Sequence, residues 1–155
     1  MKLTDYLKVD YVRVGLNAAT KPELLEAMVQ LVAHHPGVEN VDALRQAILE
    51  REKIMSTGVG KGFAIPHGKT DSVDEIVLAF AVCAAPVEYE SMDGEPVRLV
   101  LLLVSRDNLV GQRLKLLSRA SKVMNNEAAR FAMLNATTAE EVLAIFQFEE
   151  DRMAD

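Results

Sequence analysis

The 155 residues are enough for one domain with a sizeable core, and a composition that is half hydrophobic and 26% charged excludes a disordered chain. A formal net charge of −6 excludes a basic nucleic-acid surface, and the single cysteine, Cys83, excludes a disulfide framework and fits a reducing compartment. The opening MKLTDYLKVDYV has no apolar core of a signal peptide, and the longest apolar run, Ile76 to Ala85, is too short to span a bilayer. The expectation is a soluble cytoplasmic protein, residues 1–155 forming one domain, with no membrane insertion.

Along the chain, the segment from Tyr11 to Leu16 has the character of an edge strand. Thr20-Lys21-Pro22-Glu23 combines a Thr-x-x-Glu capping box with a proline in the first turn, and Leu24, Leu25, Met28, Leu31 and Val32 recur at helical spacing. These predict an amphipathic helix over 21–34, ended by Pro36-Gly37. Asp42 is expected to open a second helix, with Leu44, Ala47 and Ile48 inward, that runs to Arg51 or Glu52.

Beyond a glycine-rich stretch, Glu75–Cys83 and Val97–Ser105 are near-continuous apolar runs suited to central strands covered on both faces. Asp93-Gly94 marks a turn between them, and Val87–Tyr89 suggests a short extra strand. A third helix is predicted from Val110 to Asn125, with Leu114, Leu117, Ala120, Ser121 and Met124 as its stripe, widened by Leu116 and Val123. A short helix follows over Glu127–Leu134, and a second Thr-x-x-Glu box, Thr138 to Glu141, opens a last helix. Residues after Glu149 read as a frayed tail. The order points to an α+β fold, a three-layer α/β/α sandwich with a central mixed sheet flanked by helices.

The chemistry concentrates in STGVGKGFAIPHGKT, Ser56 to Thr70, which holds four glycines, one proline and the only histidine outside the His34-His35 pair. Gly68-Lys69-Thr70 imitates the end of a nucleotide-binding P-loop, and Gly58-Val59-Gly60 the start of a dinucleotide fingerprint, but both patterns need a glycine where Phe63 stands. His34 and His35 read as helix-end residues favoured by the dipole. The residues alone leave two readings of His67 open: a turn histidine bonded to local backbone, or a functional group presented between Pro66 and Gly68. No second His, Cys or paired carboxylate lies at ligand spacing, so neither a metal nor another cofactor is expected, and no nucleophile elbow marks a serine hydrolase.

STGVGKGFAIPHGKT resembles the phosphorylation site of enzyme IIA domains of the fructose, mannitol and nitrogen-regulatory type, from the bacterial phosphoenolpyruvate-dependent phosphotransferase system. Leu49-Glu50-Arg51-Glu52-Lys53, Pro86-Val87, Asp93-Gly94-Glu95-Pro96-Val97 and Gly111-Gln112-Arg113-Leu114-Lys115-Leu116-Leu117 match that family in order and spacing, so the resemblance spans about residues 3–147. It implies that His67 accepts a phosphoryl group from the phosphocarrier HPr, and that Arg51 lies in the pocket rather than at a solvated helix end. Imidazole is a competent nucleophile near neutral pH, and phosphoryl transfer asks chiefly for positioning and positive surroundings. Backbone amides around Ser56, Thr57, Gly58, Gly60 and Gly62, with Gly68, are candidates for cradling the phosphate. Lys61, Lys69 and Lys115 are possible added cations, while Glu50, Asp71 and Asp74 read as solvated. Val59, Phe63 and Met92 are either a docking surface or core.

One departure stands out. The family's usual second histidine is replaced by Arg113, a permanent cation that holds phosphate through charge-assisted hydrogen bonds and disfavours protonation of His67. The expectation is a stand-alone regulator that gives the group up slowly and binds a regulatory target according to phosphorylation state. The alternatives are a sugar-specific enzyme IIA with separate IIB and IIC chains, and a non-catalytic binding module.

Overall fold

Strands β5 (Val77–Val87) and β6 (Val97–Ser105) form the centre, because their side chains are apolar on both faces. The structure, a computed structural model, describes residues 1–153. Leu78, Phe80 and Val82 of β5, with Leu99, Leu101 and Leu103 of β6, pack on helices α3 (Val110–Asn125), α4 (Glu127–Leu134) and α5 (Ala139–Asp151). The alternate residues, Ala79, Ala81 and Cys83 with Val100, Leu102 and Val104, pack on α1 (Lys21–Leu31) and α2 (Val41–Ile54). Period-two alternation within two apolar strands thus gives two cores and three layers. Each large side chain fully buried there contributes about 1.5–3 kcal/mol.

The sheet is mixed. Its order is β1 (Val12–Leu16), β5, β6, β3 (Phe63–Ala64), β2 (Gly58–Gly60), with β4 (His67–Lys69) also paired to β6. β5 and β6 are antiparallel, β1 runs parallel to β5, and β3 and β4 both run parallel to β6. The sandwich expected from the sequence is what forms. Among the described residues, no helix is long and apolar enough to cross a membrane.

Both Thr-x-x-Glu boxes cap helices: the Thr20 hydroxyl accepts the Glu23 N–H at 3.3 Å, and that of Thr138 accepts the Glu141 N–H at 3.1 Å. Helix α2 starts at Val41 because Asn40, not Asp42, is its cap. Helix α1 stops at Leu31, so His34 and His35 lie in the turn beyond it rather than at a helix end. His35 is buried there, its Nδ1 accepting the Gly37 N–H at 2.9 Å and its ring 4.6 Å from that of Tyr11. The expected separate strand over Val87–Tyr89 is instead the end of β5, followed by a buried Tyr89.

Two further expectations are corrected. Leu114 does not belong to the inner face of α3; it is 61% exposed, while Leu116, Ala120, Val123 and Met124 are buried. Nor does the chain fray after Glu149: α5 continues to Asp151, because the buried Glu150 accepts the N–H groups of Leu3 at 2.7 Å and Thr4 at 3.0 Å, and the Arg119 Nε–H at 2.9 Å. Ala154 and Asp155, the end of that expected tail, lie outside the described residues.

Candidate functional site

Pro66 separates β3 from β4, and both segments stay in register with β6: Leu103 donates its N–H to the Pro66 carbonyl at 3.1 Å, and His67 pairs with Leu103. His67 therefore stands on a strand at the carboxyl end of β6, the end of an open α/β sheet where ligands usually bind. Helix α2 crosses β4 at Gly68. A Cβ on Gly68 would lie 3.1 Å from both the carbonyl carbon and oxygen of Ala47, so glycine is what permits this approach. Arg51 follows Ala47 by four residues and shares its helix face, which brings the guanidinium beside the strand. From the other side, the first turn of α3 supplies Arg113, whose Nη1 donates to the Ser105 hydroxyl at 2.8 Å and the Arg106 carbonyl at 3.2 Å.

The result is a cleft of about 350 Å³ lined by His67, Gly68 and Lys69 of β4, by Ala47, Glu50, Arg51 and Ile54 of α2, and by Arg113. His67 Nδ1 lies 2.7 Å from the Ile65 carbonyl oxygen. A carbonyl can only accept, so in the neutral ring the proton sits on Nδ1 and Nε2 keeps its lone pair. Burial lowers the His67 pKa from its ordinary 6.5; Arg51 and Arg113 lower it further, opposed by the Ile65 hydrogen bond and the Glu52 charge. The arrangement can offer an unprotonated imidazole nitrogen between two permanent cations.

The structure thus gathers His67, Arg51, Arg113 and Gly68. It does not bring Ser56, Thr57, Gly58, Gly60 or Gly62 to the lining of this cleft. Ser56 donates to the Tyr89 carbonyl at 3.0 Å, and Gly58 backs onto Ser91, whose Cβ would be 2.9 Å from an added Cβ. Gly60, Lys61 and Gly62 all have positive φ and form the β2–β3 turn, with the Lys61 N–H donated to Asp93 at 2.9 Å. Of the lysines, only Lys69 lines the cleft, and it pairs with Asp107 at 3.3 Å. Glu50, read as solvated, is exposed but lines the cleft; Val59 and Met92 are exposed while Phe63 is core.

Sequence reasoning missed Ser105, which holds Arg113, and Glu52, whose carboxylate binds Thr57 and Lys21. The adjacent Arg51-Glu52 pair was visible, but an acid in the last turn of an amphipathic helix carries no sign of being buried.

The sequence model of the family described as Phosphoenolpyruvate-dependent sugar phosphotransferase system, EIIA 2, matches residues 5–148. A nitrogen regulatory protein from Bradyrhizobium diazoefficiens is 34% identical over 127 residues, covering 82% of each chain. A fructose-specific EIIABC component of the same system from Bacillus subtilis is 32% identical over 145 residues; the match takes in 94% of this chain but only 23% of that protein. The crystal structure of nitrogen regulatory protein IIA-Ntr from Neisseria meningitidis superposes with a TM-score of 0.87 at 28% identity, covering 93% of this chain and 98% of that one. With a family match over nearly its whole length, and with this fold, the chain belongs to the EIIA 2 family of the phosphotransferase system as a nitrogen-regulatory-like domain.

Proposed function

We propose that this protein is a phosphohistidine carrier and regulator, taking a phosphoryl group onto His67 from an HPr-type phosphocarrier and engaging partners according to its phosphorylation state. Domains of its family act as phosphoryl carriers, which supports the reaction class. The observation that carries the reading is the hydrogen bond from His67 Nδ1 to the Ile65 carbonyl, in a cleft shared with Arg51 and Arg113. The Nε2 lone pair attacks phosphorus, an N–P bond forms, and the N–P bond to the donor imidazole breaks, that ring leaving with the electron pair. Nδ1 keeps its proton throughout, and Ile65 stabilises the positive charge the phosphorylated ring then bears. Arg51 and Arg113 neutralise the equatorial oxygens, electrostatic work of the kind such transfer requires.

Similarity to a nitrogen regulatory protein over 82% of both chains supports the regulator reading; a fructose-specific EIIA component is similar to the same degree, which supports a sugar-specific IIA handing the group to a separate IIB as the second reading. The cytoplasm, where phosphoenolpyruvate is available, is the matching location. Intact-mass spectrometry after incubation with phosphoenolpyruvate, enzyme I and HPr tests the proposal. The expected result is one acid-labile phosphoryl group on the wild type and none on His67→Ala. No gain, where an ordinary enzyme IIA is phosphorylated, would leave a non-catalytic binding module.

A further inference from the structure

Glu52 does not line the cleft, yet its contacts lead to the imidazole. Oε1 accepts the Thr57 backbone N–H and the Lys21 ammonium, each at 2.9 Å, and Oε2 accepts the Thr57 hydroxyl at 2.6 Å. The Thr57 carbonyl accepts the Ile65 N–H at 3.0 Å, and the Ile65 carbonyl takes the proton of His67 Nδ1. One continuous path of hydrogen bonds therefore joins the Glu52 carboxylate to the ring. It is shielded from water, for the side chains of Lys21 and Glu52 are 14% and 7% exposed, and Thr57 and Ile65 are buried.

The carboxylate occupies an unfavourable place. It lies in the last turn of α2, where the helix dipole repels an anion, and burial strips it of water. Lys21 from α1 neutralises it, and both of its oxygens accept hydrogen bonds. Such a group fixes geometry: it holds Thr57 by two bonds at once, and Thr57 is what meets Ile65 on the side away from β6. On the β6 side, Leu103 holds the neighbouring Pro66 carbonyl. The Ile65–Pro66 segment is thus clamped between the Glu52–Thr57 pair and the sheet.

We propose that Glu52 is a positioning residue for His67, acting through Thr57 to fix the Ile65 carbonyl that keeps the proton on Nδ1 and leaves Nε2 free to attack. The inference rests on His67 being the phosphoryl acceptor. Tyr89 distinguishes positioning from simple support. Its hydroxyl bonds Thr57 Oγ1 at 2.9 Å and also meets the Glu52 carboxylate, so it belongs to the same buried cluster, but no hydrogen bond of the path from Glu52 to the ring passes through it.

The test is nitrogen-15 NMR of the histidine ring, with the His67 resonances assigned by their loss in His67→Ala, alongside the rate of phosphorylation by enzyme I and HPr. In the wild type the neutral ring should be the Nδ1–H form. Glu52→Ala should admit the Nε2–H form and slow phosphorylation about ten- to a hundredfold, by analogy with the loss seen when the partners that fix the tautomer of metal-bound histidines are removed. Tyr89→Phe should lower the melting temperature while keeping the tautomer, with a rate within about twofold of wild type. If Glu52→Ala retains both tautomer and rate, or if Tyr89→Phe shifts the tautomer equally, the proposal is overturned. Should Glu52→Ala not fold, Glu52→Gln is read by the same criteria. If the wild type itself takes no phosphoryl group, the functional reading fails, and the tautomer comparison still decides whether Glu52 sets the ring.

Discussion

The Nδ1 of His67 lies 2.7 Å from the carbonyl oxygen of Ile65, so a peptide only two residues upstream decides which ring nitrogen is nucleophilic. Because Ile65 is buried and its own N–H is held by Thr57, the carbonyl cannot turn away without breaking the β2–β3 end of the sheet. The nitrogen that keeps its lone pair is thereby set by backbone, while Arg51 and Arg113 add positive charge near the ring.

A pH profile follows. Burial, Arg51 and Arg113 together hold the His67 pKa below its ordinary 6.5, so the ring is neutral at physiological pH. Phosphoryl uptake should be flat between about pH 7 and 8 and fall as the pH drops through the lowered value. Arg51→Leu should move that fall to higher pH, since a cation opposing protonation is gone. The sign for stability is the same: with the folded pKa depressed, the His67 contribution is complete above 6.5 and is lost as pH falls through the folded value. A fall beginning above pH 7 in the wild type would show that the ring is not shielded.

Gly68 is predicted to be a packing glycine. Its φ is not in the left-handed region, so alanine there meets no backbone strain, only the carbonyl of Ala47 at 3.1 Å. Gly68→Ala should push α2 off β4, lowering stability by about 1–3 kcal/mol in urea unfolding. It should also slow phosphorylation, because Arg51 moves with the helix. Gly111→Ala, with nothing within 4 Å of the added Cβ, is the control: it should leave the rate unchanged and, lying within helix α3, should raise stability by up to about 1 kcal/mol rather than lower it.

What was legible in the sequence divides along these lines. Local signals were read well. Thr20 and Thr138 cap helices, Asn126 falls between α3 and α4 where expected, and the two long apolar runs are the central strands. AIPHGK drew attention to His67, and the family resemblance brought in Arg51 and Arg113. What failed depended on distant partners. The Glu52 carboxylate is buried by Lys21 and capped by Thr57, contacts that no periodicity reveals. Leu114 fits the helical stripe of α3, but the sheet meets Leu116 and Ala120 instead. The spacing around Gly68 shows the missing side chain without showing the helix packed over it.

The C-terminal end depends on one buried ion pair. Removing Glu150 leaves the Arg119 guanidinium uncompensated, with side chains 6% and 0% exposed, and strands the N–H groups of Leu3 and Thr4. Glu150→Ala should lose about 3–5 kcal/mol of stability, the usual consequence of breaking a buried pair on one side. Hydrogen exchange at the Leu3 and Thr4 amides should accelerate before the rest of the chain unfolds. A loss below about 1 kcal/mol would mean that water reaches the pair.

Arg113 should govern how long the phosphoryl group stays. Its Nη1 is occupied by Ser105 and Arg106, which fixes the guanidinium at the cleft and leaves its other N–H groups to meet phosphate oxygens. A charge-assisted hydrogen bond of this kind is worth about 1.5–3 kcal/mol, roughly ten- to a hundredfold in the rate of leaving if it is lost on the way to the transition state. Arg113→His should therefore shorten the lifetime of the phosphorylated protein and speed return of the group to HPr. Ser105→Ala, which frees the guanidinium from one anchor, should act in the same direction but more weakly. Quench-flow measurement of transfer both ways, with the phosphorylated protein prepared in advance, decides the matter. Unchanged rates for Arg113→His would make the arginine a bystander at the cleft wall, and the slow release expected of a regulator would need another source.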